Sequence, residues 1–378
     1  MIFAIITHVP HLLQKKQYFA YAPYVREMNS WIRNADEVIL VAPIAKSAKT
    51  PIDASYKHEN IELMPIAGFD VLSLKTILLS IYKIPKISWQ IYKAMQKADH
   101  IHLRCPGNIG LLGCLVQILF PAKPKTAKYA GNWDPKAKQP WTYKLQKWIL
   151  SNIFITRNMQ VLVYGEWKNQ SKNIVPFFTA TYAEADKKSI KTKDLKRTLD
   201  FVFVGVLVAG KNTLYAIQLV EKLAQKGFDV RLTVFGEGIE RDHLERYVAL
   251  HNLAEIVFFK GNQNQEVVKM AYQDSHFVVL PSKSEGWPKA IAEGMFWGCV
   301  PLATSVSCVP FMLDYGNRGT ILTMDLEKDA QIVQLIIENQ VDFDLKSQGA
   351  INWSTKYTVD IFEQEIKKII LNESSFKN

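Results

Sequence analysis

The chain has 378 residues, of which 48% are hydrophobic and 22% charged, and this length and composition predict a soluble globular protein with two domains. A membrane-spanning helix is excluded, because no stretch approaches the ~20 apolar residues it requires. The four cysteines form no C-x-x-C pair and lie in or beside apolar runs, which predicts reduced, buried thiols of a cytosolic protein.

The net charge of +10 is unevenly distributed along the chain. Residues 1–178 hold 23 Lys and Arg against 10 Asp and Glu, whereas residues 179–378 hold 23 against 26. The positive excess therefore belongs to the first half alone. Nucleic acid, an anionic membrane surface and a phosphorylated acceptor each explain such an excess.

The first half alternates apolar runs with helical patterns, which is typical of a parallel sheet with crossover helices. The chain opens on the first of these runs, so we expect a strand there and not a signal peptide. That strand leads into His8 and His11, at a carboxyl end where open α/β sheets place their ligands. The predicted strands are 2–7, 37–42, 61–65, 100–104, 125–129 and 161–165, and the helices between them include 21–34 and 141–153.

Residues 69–99 interleave apolar and aromatic side chains with lysines, and Pro85 is predicted to divide them into two helices. A basic amphipathic helix with Trp and Tyr is suited to a membrane interface. A core-facing helix with a solvated lysine face explains the same pattern equally well. Both interpretations stay open at the level of the sequence.

Two further polar positions follow strands of the first half. Arg104 ends one predicted strand, and Asn132 follows the next one along the chain. Residues 179–200 are polar and charged without an apolar period, which predicts an interdomain linker. A nucleic-acid-binding arm is the competing interpretation of this segment, but acidic residues interrupt it and no aromatic platform accompanies it.

The second half repeats the strand–helix rhythm. Predicted strands cover 199–205, 229–235, 255–260, 277–280, 299–303 and 319–323, and predicted helices cover 212–227, 239–251, 288–298, 327–339 and about 342–371. The expected fold class is therefore α/β, with two Rossmann-like domains.

The most informative stretch is the strand–loop–helix around Glu285 and Glu293. One carboxylate is predicted in the loop, and the other about a turn and a half into the helix that Pro288 introduces. The unpaired N–H groups of the first helical turn lie between them. Such an arrangement suits a ligand with a phosphate for the helix end and hydroxyls for the carboxylates, as in a nucleotide-sugar.

The sequence Glu285-Gly-Trp-Pro-Lys-Ala-Ile-Ala-Glu293 resembles the E-G-F-P-x-x-x-x-E signature of retaining, family 4 type glycosyltransferases with the GT-B fold. The resemblance implies that Glu293 binds the ribose hydroxyls and that Glu285, as a catalytic residue, holds the donor sugar and orients its anomeric carbon. No metal cofactor is expected, so the diphosphate of the nucleoside-diphosphate sugar is met by Lys211 and helix-start amides. The residues that this segment assigns to the donor are Gly286, Trp287, Pro288, Lys289, Ala290 and Ile291.

Three glycine-bearing turns of the second half extend the resemblance. Gly205 to Lys211 is similar to the family's G-R-L-x-x-x-K loop, with Lys211 in a catalytic role and Val206 at the arginine position. Gly236-Glu-Gly resembles the family's G-D-G-P-E segment, and Gly261 lies at the turn where relatives place the nucleotide base.

The chain departs from the family pattern at three points. Valine at position 206 cannot supply the charge-assisted bond of an arginine. The His8–His11 loop lacks the glycines that relatives use near the donor phosphate, and the Asn132 region lacks their histidine. His8, His11, Arg104 and Asn132 are the acceptor-side candidates. A catalytically impaired nucleotide-sugar-binding or scaffold protein is therefore the alternative function.

The resemblance implies two Rossmann-like domains facing each other across a cleft: residues 1–180 on the acceptor side and 198–356 on the donor side. A final helix over about 357–378 returns to the first domain near Lys356-Tyr357. The expected reaction moves a sugar, with retention, to a glycan or lipid-linked acceptor in capsule, exopolysaccharide or lipopolysaccharide synthesis. The expected location is cytoplasmic, with peripheral contact to the anionic inner face of the membrane left open, and nucleic acid is not an expected partner.

Overall fold

The computed structural model describes residues 1–45, 48–68, 82–187, 190 and 192–371. The chain divides into two compact units, which we call unit 1 and unit 2. Unit 1 holds Met1–Phe178 and the chain from Glu363 onward, and unit 2 holds Thr179–Phe362. The polar segment 179–200 thus lies in unit 2, and the chain returns to unit 1 after Phe362 instead of at Lys356-Tyr357.

Unit 1 is built on a parallel sheet whose described strands run in the order β10-β9-β8-β7-β1-β4-β6. Strands β1 and β4 are largely continuous apolar runs, as expected where helices cover both faces of a sheet, whereas the buried strands β7 and β8 also carry His, Arg and Lys side chains. A small antiparallel sheet, β2-β3-β5, lies beside it. The strands are β1 (Ile2–Ile6), β2 (Leu12–Gln14), β3 (Gln17–Tyr21), β4 (Glu37–Pro43), β5 (Asp53–Ser55), β6 (Ile61–Ile66), β7 (His100–Cys105), β8 (Lys125–Tyr129), β9 (Met159–Tyr164) and β10 (Ile174–Phe177).

Three helices of unit 1 pack into one hydrophobic cluster with the sheet, through inward side chains such as Ile87, Ile109 and Ile149. The described helices of the first 178 residues are α1 (Ala22–Ile32), α2 (Lys83–Lys97), α3 (Asn108–Val116) and α4 (Trp141–Ser151). Pro85 lies in the first turn of α2, where its missing N–H costs no helical hydrogen bond, and the prediction that it divides two helices stays a prediction. The first part of that predicted segment, 69–81, lies outside the described residues.

Unit 2 contains a second parallel sheet, in the order β13-β12-β11-β14-β15-β16. Its strands are β11 (Leu199–Val204), β12 (Val230–Phe235), β13 (Val257–Gly261), β14 (Phe277–Leu280), β15 (Val300–Thr304) and β16 (Thr320–Leu322). Its helices are α5 (Thr213–Gln225), α6 (Arg241–Leu250), α7 (Gln265–Asp274), α8 (Lys289–Phe296), α9 (Val309–Met312), α10 (Leu326–Ile337) and α11 (Gln340–Ser354). The predicted α/β class with two Rossmann-like sheets is confirmed.

The predicted helix over 342–371 is two helices, α11 and α12 (Val359–Ile370). At the break, two residues form hydrogen bonds with a distant part of the chain instead of within a helix. The Val359 N–H donates to the Tyr182 carbonyl at 2.9 Å, and the Thr358 hydroxyl donates to Glu184 Oε1 at 2.8 Å. The segment between the helices is thereby held by the polar chain that follows β10. The four cysteines are free and buried, as predicted.

Two buried histidines of unit 1 predict a loss of stability in mild acid. Burial lowers the pKa of His11 and of His100 from 6.5 to about 4. Both are neutral in the folded state, so between pH 6.5 and 4 the unfolded chain binds more protons and stability falls as the pH falls. Each histidine contributes at most about 3 kcal/mol over that range.

Hydrogen exchange of peptides from β1 and β7, followed by mass spectrometry at pH 7 and pH 5, measures this effect in unit 1. We expect the free energy of opening to be lower at pH 5, and the difference to shrink in a His100→Leu variant. Equal free energies at the two pH values would contradict the assignment of these side chains as buried neutral groups.

Candidate functional site

The stretch from β14 to α8 positions the two predicted carboxylates. Strand β14 is wholly buried, and the loop after it ends at Pro288, immediately before α8 begins. The Glu285 side chain is only 8% exposed, whereas Glu293 lies in the second turn of α8 and is half-buried. The Ile291 N–H donates to the Pro288 carbonyl at 3.0 Å. This amide, which the sequence assigned to a phosphate, therefore closes the first helical turn instead.

Lys211 and Glu285 form an ion pair, with Lys211 Nζ 2.5 Å from Glu285 Oε1. They are 74 positions apart in the sequence and come from the loops after β11 and β14, two adjacent strands of the sheet. A backbone hydrogen bond from the Lys283 N–H to the Gly210 carbonyl, at 2.8 Å, joins the same two loops. The sheet order thus brings together the two residues for which the family resemblance implies catalytic roles.

Glu293 has a hydrogen-bond donor that the sequence did not indicate. The Thr181 hydroxyl donates to Glu293 Oε1 at 2.7 Å. A small cavity of about 20 Å³ lies beside this contact and is lined by Thr181, Glu293 and Tyr357, among others. Burial, and after it the Glu293 carboxylate, raise the pKa of the Tyr182 phenol. Glu293 therefore lies at the edge of an aromatic and partly enclosed space.

Three predicted glycines meet at the carboxyl ends of three adjacent strands. The Gly205 N–H donates to the Phe235 carbonyl at 3.0 Å, and the Gly236 N–H donates to the Gly261 carbonyl at 2.9 Å. Gly236 has a φ of +132°, and a Cβ there would lie 1.9 Å from the Gly205 carbonyl oxygen. Only glycine fits this position, because any side chain would collide with the neighbouring backbone.

Val206 follows Gly205 and is 54% exposed, so no packing requirement explains a valine at this position. The Arg241 guanidinium is a cation close to the Gly261 turn, since it lies 3.5 Å from the position that a Cβ on Gly261 would occupy. It forms ion pairs with Glu237 and Glu245, however. Arg241 is therefore already engaged by two carboxylates.

The loop that carries Glu285 also contacts residues outside the predicted motifs. The Ser307 hydroxyl donates to the Gly286 carbonyl at 3.0 Å. The Trp287 ring lies 5.9 Å from that of Trp353, nearly parallel, and meets the Tyr357 ring edge-on at 5.5 Å. The sequence signal for these contacts is weak. Ser307 is one of several hydroxyl residues after β15, Trp353 is an aromatic residue of α11, and the partners of both are distant in the chain.

The acceptor-side candidates in unit 1 differ in their surroundings. His8 is exposed, whereas His11 is fully buried, with Nε2 2.8 Å from the Tyr56 hydroxyl. Arg104 donates to Glu27 Oε1 at 2.9 Å in a buried ion pair. Asn132 accepts a hydrogen bond from the Asp134 N–H at 2.9 Å, within a turn. His11 and Arg104 therefore have internal structural partners, and His8 is the candidate that solvent reaches.

Two other features lie apart from the predicted site residues. A cavity of about 470 Å³ in unit 1 lies at the amino ends of β8 and β9 and includes none of the predicted site residues. The Asp342-Phe-Asp344 triplet lies in α11, where Phe343 is buried. Within the described part of the chain, no group of three or more His, Cys, Asp and Glu side chains is arranged to hold a metal ion.

The fold is that of the GT-B glycosyltransferases. The chain is similar to sucrose-phosphate synthase from Thermosynechococcus elongatus, with 15% identity, a TM-score of 0.70 and coverage of 99% of both chains. It is also similar to Anabaena HepE in complex with UDP-glucose, with 12% identity and a TM-score of 0.71 over 98% of this chain and 100% of that one. At these identities the likeness establishes the fold alone.

Residues 184–344 match the sequence model of the family described as "Glycosyl transferases group 1". An uncharacterized glycosyltransferase of Haemophilus influenzae is 25% identical over 169 residues, which are 44% of this chain and 47% of that protein. A GDP-mannose:cellobiosyl-diphosphopolyprenol alpha-mannosyltransferase of Xanthomonas oryzae is 22% identical over 160 residues, 41% of this chain and 42% of that protein. The chain spans less than half the length of these curated relatives.

Proposed function

We propose that the chain is a glycosyltransferase that moves a sugar from a nucleoside-diphosphate sugar to a glycan or lipid-linked acceptor. The observation that carries the proposal is the Lys211–Glu285 ion pair, 2.5 Å long, beside the start of α8. A cation and a carboxylate next to a helix start provide complementary groups for a diphosphate and for sugar hydroxyls. The match of residues 184–344 to a glycosyltransferase family supports the same function.

The proposed donor site divides the ligand among the elements of unit 2. Lys211 and the amides at the start of α8 meet the diphosphate, and the Glu285 carboxylate accepts hydrogen bonds from the donor sugar. Glu293 binds the ribose hydroxyls, in exchange for or beside its bond from Thr181. The close backbone approach at Gly205, Gly236 and Gly261 leaves these strand ends without side chains that would obstruct a nucleotide.

Without the donor, Lys211 neutralises Glu285. When the diphosphate arrives, Lys211 Nζ interacts with a phosphate oxygen as well, and the Glu285 carboxylate becomes available to sugar hydroxyls. Charge that develops on the leaving diphosphate is then stabilised by groups already in place. The bond between the anomeric carbon and the diphosphate oxygen breaks as the acceptor hydroxyl attacks that carbon from the same side. An oxygen of the departing diphosphate takes the hydroxyl proton, and the configuration is retained.

The pathway that we propose is the assembly of a capsule, exopolysaccharide or lipopolysaccharide on the cytoplasmic side of a bacterial membrane. One observation favours a different function, a nucleotide-sugar-binding or scaffold protein without transfer activity. Val206 stands where the family signature has an arginine, and Arg241 nearby is held by two carboxylates.

Titration calorimetry with a panel of nucleoside-diphosphate sugars, combined with mass spectrometry of the products, separates these functions. Binding with slow donor hydrolysis supports the enzyme. Binding of a donor with neither hydrolysis nor transfer to any offered acceptor supports the scaffold. Absence of binding across the panel contradicts both.

A Glu293→Ala variant is expected to bind nucleotide more weakly while its maximal rate of donor hydrolysis changes less. The carboxylate accepts bonds from two ribose hydroxyls, and hydrogen bonds to a charged group contribute about 1.5–3 kcal/mol each. The dissociation constant for the nucleoside diphosphate alone, measured by calorimetry, reports this loss.

Thr181→Val is the matched control, because it removes the hydroxyl that bonds to Glu293 and leaves the carboxylate in place. It should preserve or strengthen nucleotide binding. Equal weakening by the two substitutions would mean that the Thr181–Glu293 contact only supports the fold.

A further inference from the structure

One side of unit 1 has an unusual charge composition. Residues 82–165 contain 13 Lys and Arg but only 2 Asp and Glu, Asp99 and Asp134. Neither acidic residue lies in a helix, so α2, α3 and α4 contain no carboxylate side chain. By contrast, the part of α12 that belongs to the same unit carries Glu363 and Glu365. Helices α2 and α4 hold six of these 13 cationic residues and no anionic ones.

The same layer exposes large apolar side chains to solvent. The exposed fractions are 68% for Tyr82, 56% for Trp89, 44% for Leu115, 66% for Leu119, 66% for Trp141 and 61% for Trp148. Trp141 and Trp148 are two turns apart and lie on one side of α4, with Lys144 exposed between them. We call these six side chains, with the lysines of α2 and α4, the Trp–Lys surface.

The packing of the three helices shows why these side chains share one side of unit 1. The inward residues of α2, α3 and α4 belong to a single hydrophobic cluster with the sheet, so their opposite sides form one solvent-facing layer. Trp89 stacks on Tyr92 with ring centroids 5.4 Å apart and planes 8° apart. Lys93 Nζ lies 5.3 Å from the centre of the Trp89 ring. Aromatic rings and ammonium groups thus occupy the same surface.

We propose that the Trp–Lys surface is a docking site for an anionic lipid bilayer. Trp and Tyr rings favour the headgroup level of a bilayer, and lysines close to them attract acidic lipids. The exposed leucines Leu115 and Leu119 distinguish a bilayer from a nucleic acid, because an aliphatic side chain gains by entering the acyl region but cannot stack on a base.

None of the described helices is both long and apolar enough to cross a bilayer. The proposed attachment therefore uses a surface of unit 1 and no spanning segment. It does not depend on the function proposed above, since it involves no donor-site residue and is measured without a nucleotide-sugar.

Flotation of the full-length protein with vesicles tests the proposal. We expect binding to vesicles of phosphatidylcholine with 30% phosphatidylglycerol, weaker binding as salt is raised, and little binding to phosphatidylcholine alone. A Lys86→Gln/Lys93→Gln/Lys144→Gln variant should lose roughly a hundredfold in partitioning to the anionic vesicles. A Trp141→Ser/Trp148→Ser variant should also float less, and the loss should persist at high salt.

Matched control variants change exposed residues of unit 2, Lys196→Gln/Lys260→Gln/Lys328→Gln and Ile239→Ser/Leu250→Ser. They should float like the unaltered protein. Equal losses in the surface and control variants, or no flotation of the unaltered protein with anionic vesicles, would overturn the proposal. So would a lysine-dependent affinity for duplex DNA or RNA that exceeds the affinity for vesicles at the same salt concentration.

Discussion

A Lys211→Met variant is expected to lose sugar transfer by about 10³-fold in kcat/KM for the donor. Two effects of the substitution both lower the rate of sugar transfer. The donor diphosphate loses the cation that we assign to it, and Glu285, with a side chain only 8% exposed, loses the ammonium group 2.5 Å away. A poorly solvated carboxylate without its partner is unfavourable, and it repels the incoming diphosphate as well.

A double-mutant cycle with Glu285→Gln separates these effects. Replacing both partners removes the uncompensated charge, so the double variant should unfold at a higher temperature than Lys211→Met alone while remaining inactive. Lys283→Met is the control, since Lys283 is an exposed lysine on the same pair of joined loops. If Lys211→Met lowered only the unfolding temperature and left donor affinity unchanged, the ion pair would be structural and the proposed donor site would fail.

A Val206→Arg variant is expected to bind the nucleotide-sugar about 10- to 100-fold more tightly. An arginine there would restore the cation of the family's loop, and a charge-assisted bond to a phosphate contributes about 1.5–3 kcal/mol. The fold should accept the change, because Val206 is 54% exposed and its side chain fills no core position. Calorimetry with the nucleoside diphosphate and with the intact donor measures the gain.

Ala209→Arg is the matched control, because it adds the same charge three residues further along the same exposed loop. It should change affinity much less than Val206→Arg, and the difference should survive at high salt, where non-specific attraction is screened. Val206→Leu should have no effect. Equal gains from both arginines would show general charge attraction, and no gain from Val206→Arg would place the diphosphate elsewhere.

Most of the fold was predictable from the sequence because buried parallel strands are continuous apolar runs. Strand β14 was predicted at its observed bounds, and β1 within one residue. The errors came from information outside the local pattern. The division between α11 and α12 depends on Tyr182 and Glu184, which are far away in the sequence.

The candidate site was predictable to the extent that the sheet order determines it. Residues at the carboxyl ends of neighbouring parallel strands must meet, and this brings Lys211 to Glu285 and Gly205 to Gly236. Hydrogen-bond partners were not predictable in the same way. The sequence indicated neither that Thr181 donates to Glu293 nor that Arg104 pairs internally with Glu27. A polar residue's type does not specify its partner when the partner is distant in the chain.

The position of α12 in the chain affects the order in which the two units are completed during synthesis. Although most of α12 follows unit 2 in the chain, its residues from Glu363 onward belong to unit 1. Its Glu363 accepts hydrogen bonds from Ser30 and Arg33, and its Ile366 and Ile369 are buried. On the ribosome, unit 1 therefore stays incomplete until every residue of unit 2 has been added. In an amino-terminal fragment that stops at Phe178, the surface of unit 1 against which α12 packs would be exposed to solvent.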